Sequence, residues 1–297
     1  VTTDPAEDVP VEVLDDVTAV VGAEATVVGR LAGGSNAGAV HVRLAGRADA
    51  VLKVARSTRP QELAATSRAR RIVEHMRGRG YPTPAWLGMG ATATHVWHMM
   101  DLVDGVPVRA LTPAVVVQLI EINDLQAGQA TEPYDHWAYA WQVATGREAS
   151  VLGLSAYSPA VSDLVRRLPL LRGAARPPVD ARDMVHADLN PSNVLVRDGV
   201  VVAVVDIENA GSGTRATDLT TLLWHTFDGS LDGVRRRLWT RIVDLVGGEG
   251  AAVLVTTQVL LQLAWSTRLG RDDVVADVVA RGHRAADELE AFRQGPG

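Results

Sequence analysis

Two kinds of hydrophobic spacing divide the chain. Over roughly the first hundred residues, apolar positions come in short β-branched bursts: VVGRL (27–31), AVHVRL (39–44), AVLKVA (50–55) and THVWHMMDLV (94–103). The clusters AGGSNAG (32–38) and AGRADA (45–50) separate the first three, so alternation punctuated by Gly and Asp predicts a small antiparallel meander. A helix follows from about Pro60, with Leu63, Ala69, Ile72, Val73 and Met76 at helical spacing. Gly78, Gly80 and the YPTP stretch (81–84) end it.

Beyond the turn-like connector DGVP (104–107) the period changes to helical. Thr112-Pro113 is a helix start whose pattern runs on to Gly128, and Ser158-Pro159 is another. Further helical patterns occupy about 216–227, 231–246, 250–268 and 272–293. One β segment interrupts them, MVHADLNPSNVLVRDGVVVAVVDIE (184–208), two apolar runs joined at Arg197-Asp198-Gly199. The expectation is an α+β fold with a small antiparallel β-rich N-terminal lobe, residues 1–103, and a larger, mostly helical C-terminal lobe, residues 104–297. No internal repeat appears.

Composition narrows the classes. The 297 residues carry a net charge of −6 and no cysteine. That leaves no basic footprint for nucleic acid and removes disulfides, zinc thiolates and thiol nucleophiles together, which fits a cytoplasmic setting. The acidic start VTTDPAEDVP does not read as a signal peptide. The apolar stretch 251–265 is broken by Thr256, Thr257, Gln258 and Gln262, so a buried helix, not a membrane span, is expected. Of the 29 basic residues 28 are arginine, and the one lysine is Lys53. A lysine kept in such a background points to a need for a compact ammonium rather than a planar fork.

The strongest chemical signal is His186-Ala187-Asp188-Leu189-Asn190-Pro191-Ser192-Asn193, followed thirteen residues later by Asp206-Ile207-Glu208. The predicted hairpin would bring Asn193 and Asp206 to one end of two strands. Phosphoryl transfer needs such a set: a carboxylate to accept the attacking hydroxyl's proton, and oxygen ligands to hold Mg²⁺ against phosphates. Asp188 suits the first task, and Asn193 with Asp206 the second.

At these residues the sequence resembles the aminoglycoside phosphotransferase and choline kinase branch of the protein-kinase-like superfamily. Val205-Asp206-Ile207-Glu208, then Gly211, Gly213 and Asp218-Leu219, look like that branch's second motif. The resemblance implies a two-lobed protein-kinase-like fold, ATP or GTP with Mg²⁺, a structural role for His186, and a bracing role for Asp218. It gives Lys53 the nucleotide's α- and β-phosphates. Gly33-Gly34-Ser35-Asn36 resembles the nucleotide-positioning loop, with Ser35 and Asn36 facing phosphate. Met100 to Gly105 resembles the hinge, where backbone at Asp101 and Val103 would read adenine. Glu208 is open between a contact to substrate or a metal-bound water and a supporting carboxylate. One departure stands out. The superfamily pairs its lysine with a glutamate on the following helix, and here only Glu62 or Glu74 is on offer; Glu62 is preferred because it shares a face with Ala69 and Val73.

Other features read as scaffold: Trp137 and Trp141 as core with Tyr134 nearby, Arg235-Arg236-Arg237 as a solvated helix face, and His98 and His225 as structural. Ala187 stands where protein kinases have Arg, Ile207-Glu208 where they have Phe-Gly, and no Ala-Pro-Glu follows, so a small-molecule acceptor is expected. Residues 101–297 hold 18 basic and 25 acidic side chains, against 11 and 10 before them. Such a lobe favours a cationic, hydroxylated substrate: an aminoglycoside, or a basic peptide antibiotic such as viomycin or capreomycin. The alternatives are a metabolic kinase of choline, homoserine or a sugar, a macrolide kinase, or a nucleotide-binding pseudokinase scaffold. No nucleic-acid or membrane partner is expected.

Overall fold

The structure, a computed structural model, describes residues 9–31, 38–56, 60–168, 175–227 and 231–294. It divides into two compact units, residues 1–110 with 191–210, and residues 111–190 with 211–297.

The first element among the described residues of the first unit is a helix that the hydrophobic pattern did not announce, α1 (Val11–Val21). Its valines favour strand, but Val13, Val17 and Val21 fall four apart on one stripe and are all buried, and Gly22 closes the helix at φ 69°. Five strands follow as one antiparallel sheet: β1 (Ala25–Arg30), β2 (Ala39–Leu44), β3 (Ala50–Arg56), β4 (Trp86–Ala91) and β5 (His95–Asp101), in the order β1-β2-β3-β5-β4. Helix α2 (Pro60–Arg77) lies between β3 and β4 in the chain. Leu52, Trp97 and Met99 join α1 in one buried cluster. Lys53 and His98, each one position along, therefore leave the opposite face.

The predicted boundary at residue 103 moves. Strand β6 (Val106–Pro107) pairs with β8 (Val194–Arg197), which pairs with β9 (Val200–Val204). Val108 N–H also donates to the Val194 carbonyl at 2.9 Å, and Val204 N–H to the Pro82 carbonyl at 2.6 Å. These bonds hold residues 104–110 and the later hairpin in the first unit. The hairpin closes at Asp198 and Gly199, with φ of 52° and 78°, the double positive φ of a tight two-residue loop.

Among its described residues the second unit is helical apart from β7 (Asp183–Val185), which pairs with β10 (Gly211–Gly213). Thr112 and Ser158 cap α3 (Pro113–Asp124) and α5 (Pro159–Arg167), as their Thr-Pro and Ser-Pro signals predict. Helix α3 stops at Asp124, and a turn rather than further helix reaches Gly128. Asp135 caps α4 (His136–Ala144), whose Trp137 and Trp141 are core. Then come α6 (Ala216–Trp224), α7 (Asp232–Leu269) and α8 (Asp272–Gln294). Helix α7 is long and apolar enough to cross a membrane, but 61% of its apolar window is buried within the protein. Gly247, at φ 69° and ψ 173°, breaks it where the sequence reading separated 231–246 from 250–268. The arginine triplet needs one correction. Arg236 and Arg237 are exposed, but Arg235 turns inward, bonded to Glu288 at 2.8 Å and to the Thr226 carbonyl at 2.9 Å, with Phe227 beneath it.

Gly247 occupies a region of φ/ψ that side chains avoid, although nothing crowds the site. Gly247→Ala is expected to lower unfolding free energy by about 1–3 kcal/mol in urea titration. Gly233→Ala, in the first turn of the same helix and in open space, should be neutral or stabilising.

Candidate active site

The first unit gathers charge around the chain's one lysine. Lys53 is largely buried on β3, and its Nζ lies 2.5 Å from Asp206 Oδ1 and 2.8 Å from Glu208 Oε1. Burial pulls the ammonium's pKa down, but the Glu208 and Asp206 charges and their hydrogen bonds outweigh it, so Lys53 is held above its ordinary range. Burial likewise works to raise Glu208; His98 and Lys53 overcome it and keep the carboxyl well below the usual value. Asp206 keeps 40% of its side-chain surface, yet desolvation and then the neighbouring Glu208 push it up to about 6 against the pull of Lys53. The site is therefore a paired ammonium with one firmly anionic partner and one adjustable one.

The hairpin accounts for where Asp206 and Asn193 sit. Val194 pairs with Val204 in register, and Val205 N–H donates to the Asn193 carbonyl at 2.9 Å, so both residues flank the same end of the two strands. Asp206 then takes a left-handed conformation, φ 65° and ψ 44°, which starts the short turn Ile207–Asn209 bearing Glu208. A non-glycine residue there is strained. Among the described residues no three His, Asp or Glu side chains form a ready-made metal cage. The donors nevertheless fit Mg²⁺, which takes one or two protein carboxylates and completes its shell with phosphate and water. Glu208 Oε2 is buried with no hydrogen-bond partner, and the adjoining Asp206 carboxylate has no proton to offer when ionised, so a hard cation suits this pair.

In the second unit the segment His186–Asn190 carries Asp188. Ala187 has φ 69°, and the flanking backbone is held from one side: His186 N–H and Ala187 N–H donate to the two oxygens of Asp218 at 2.8 and 2.9 Å. Asp218 is fully buried on the first turn of α6 and takes a third bond, 2.9 Å, from Gln126 Nε2. Gln126 in turn accepts from Asn123 Nδ2 at 2.5 Å, and Asn123 also donates to the Arg215 carbonyl. Burial pushes Asp218 up to about 6 although all three donors favour its anion. Asp188 N–H donates to His186 Nδ1 at 3.3 Å, and Asn190 Nδ2 donates to Asp188 Oδ1 at 2.8 Å. The buried His186 thus supports the loop.

The remaining predicted residues divide. Ser35 and Asn36 lie outside the described residues. Asp101 ends β5 with its N–H on the Ala85 carbonyl at 2.9 Å, and Val103 follows, half-buried. Glu62 stands half-buried on the first turn of α2 and is not among the ammonium's ion-pair partners; Glu74 pairs with Arg70. The sequence reading treated His98 only as structural and did not single out Asn123 and Gln126. His98 carries no spacing signal, because its meeting with Lys53 is made by strand register alone. Asn123 and Gln126 belong to a helix end that looks like any polar terminus.

The sequence profile of the phosphotransferase enzyme family matches residues 27–246. No curated protein sequence matches the chain. Among solved structures, the chain is similar to a thermostable mutant of aminoglycoside phosphotransferase APH(4)-Ia in ternary complex with ADP and hygromycin B. The identity is 19%, with 96% of this chain and 99% of that one covered and a TM-score of 0.67. An aminoglycoside-3'-phosphotransferase of type VIII is 22% identical over 84% and 98% of the two chains, TM-score 0.54. Macrolide 2'-phosphotransferase MphH from Brachybacterium faecium is 15% identical over 91% and 97%, TM-score 0.57. The two-lobed kinase-like phosphotransferase fold expected from the sequence is the fold observed.

The Asp218 cluster sets burial against hydrogen bonding, and the outcome is measurable. A folded-state pKa raised above the ordinary 3.8 favours the protonated form, so wild-type stability should fall as pH rises from about 4 to about 6. Measured against Asp218→Asn, which cannot ionise, the loss should approach about 3 kcal/mol above pH 6. A difference that stays flat, or reverses, would mean the three N–H donors win.

Proposed function

Because the chain belongs to the phosphotransferase enzyme family, we propose that it moves the γ-phosphoryl group of ATP to a hydroxyl of a small cationic molecule, and that the acceptor is an antibiotic. The observation that carries this reading is the lone lysine, buried on its strand and paired with the Asp-x-Glu motif 153 and 155 residues later in the chain. Composition and motif marked both independently, and nothing in a plain β-sheet requires them to meet.

In this reading Asp188 is the base. Asn190 fixes one of its oxygens, which sets the carboxylate's rotamer, and the strained turn at Ala187 aims it. The acceptor oxygen bonds to the γ-phosphorus, the bond from that phosphorus to ADP breaks, and the hydroxyl proton passes to Asp188. Lys53 supplies positive charge to the nucleotide phosphates. Asn193 and Asp206 would hold Mg²⁺, whose contribution when bound is to neutralise charge on the phosphate oxygens. Asp101 and Val103 would meet the adenine edge through backbone groups, and Ser35 and Asn36 the phosphates. An ATP-dependent reaction in a chain without cysteine suits the cytoplasm.

The acidic balance of residues 101–297 supports a cationic acceptor, since excess negative charge raises the local concentration of a polycation. Transfer of label from [γ-³²P]ATP across a panel of aminoglycosides, basic peptide antibiotics, macrolides, choline, homoserine and sugars decides the class. Labelling confined to neutral or acidic acceptors would remove the cationic reading. Asp188→Ala should lower kcat by at least about 10³ while nucleotide affinity stays within about twofold. Undiminished turnover would place the base elsewhere, and no turnover in either protein on any acceptor would favour a binding scaffold.

A further inference from the structure

Helix α2 brings no carboxylate to Lys53. Its buried face consists of Thr66, Ala69, Ile72, Val73 and Met76, and its two glutamates lie elsewhere. A buried ammonium on a four-carbon stem still needs a fixed anion, or its position is set only by whatever ligand arrives. Asp206 alone is a poor anchor, because two-fifths of its side chain faces solvent. Glu208 is less exposed, at 25%, and its Oε1 is contacted twice: by Lys53 Nζ at 2.8 Å and by His98 Nε2 at 2.8 Å.

His98 is built into place. It stands directly across from Lys53 in the β3–β5 register, so both side chains leave one face of the sheet side by side. It is buried, and its ring lies flat on Trp86 of β4, centroids 4.2 Å apart and planes 11° from parallel. Nε2 is not aligned for a full ring N–H hydrogen bond to Glu208, so the contact is a close polar approach rather than a saturated bond. The glutamate's own backbone is held as well. Ile207 beside it is buried, Ala210 N–H closes the turn on the Ile207 carbonyl, and Arg68 Nε of α2 donates to the Ala210 carbonyl at 3.0 Å. Helix α2 thus braces the turn that bears the carboxylate instead of supplying a carboxylate itself.

We propose that Glu208 takes the place of the missing helix glutamate as the anchor of Lys53, and that His98, held flat by Trp86, is the positioning residue that fixes this anchor. The proposal rests on the reading of Lys53 as a nucleotide-phosphate ligand. It explains why an acidic residue two positions after Asp206 meets strand residues, and it gives His98 a task that simple core filling would not require.

The test is ADP affinity without divalent metal, by calorimetry on the full chain. H98F keeps an aromatic ring on Trp86 and removes Nε2; it is expected to weaken ADP binding about 3–10-fold and to raise the KM for ATP more than it lowers kcat. H98Q restores a side-chain N–H donor without the ring and should recover most of the affinity. E208Q, nearly unchanged in volume, should match H98F, and the double variant should be no weaker than either single one. Wild-type affinity in H98F, no recovery in H98Q, or additive losses in the double variant would each overturn the proposal. If H98F does not fold, H98Q and E208Q still decide: wild-type ADP affinity in E208Q overturns it. K53M separates the two levels. Unchanged ADP affinity in K53M removes the reading of Lys53 itself, whereas a loss in K53M with none in H98F or E208Q removes only the His98–Glu208 anchor.

Discussion

An ammonium taken out of water must meet anions, and the first unit is arranged so that Lys53 meets two. The requirement reaches back through the structure. It needs the β8–β9 hairpin to return to the five-stranded sheet, which the Val204–Pro82 and Val108–Val194 backbone bonds secure. It needs Asp206 in a conformation that non-glycine residues avoid, so that the next turn reverses and presents Glu208. Buried pairs of this kind seldom add much net stability, since desolvation offsets attraction. What they give is position.

The second unit solves the mirror problem with a buried carboxylate. Asp218 gathers two backbone N–H groups and the Gln126 amide, and so fixes the left-handed turn at Ala187 immediately before Asp188. Among the described residues, two of the three non-glycine residues with positive φ thus fall in the two predicted motifs, Ala187 immediately before Asp188 and Asp206 itself. The third, Asp198, sits in a hairpin loop whose geometry demands it. Strain concentrated in this way is an ordinary mark of function, because only surrounding contacts keep such backbone in place.

What could be read from the chain alone follows from how local each signal is. Asp188, Asn193 and Asp206 fall within nineteen residues around a turn that announces itself, so the hairpin that sets Asn193 and Asp206 at one end of two strands was legible. The Thr112-Pro113 and Ser158-Pro159 starts are equally local, as is the division of the long helical pattern near Gly247. Helix α1 was not legible, because five valines in eleven residues argue for strand until the sheet offers their stripe a partner. The unit boundary was misplaced for a similar reason: residues 104–110 look like a linker until a strand ninety residues later pairs with them. His98 and Gln126 depend on register and on a helix end, and neither leaves a mark in spacing. The absence of a helix glutamate at a comfortable offset was visible; the ion pair between Lys53 and Glu208 was not.

Gly247 has a consequence on a larger scale. A straight helix of 38 residues would run about 57 Å, whereas a compact body of about 170 residues is only about 40 Å across. An uninterrupted rod would have to protrude and leave its apolar sides wet. The single left-handed residue lets one stretch of chain fold as two arms of ordinary length. Each arm can then lay its apolar side against the rest of the unit, and 61% of the most apolar window is buried there.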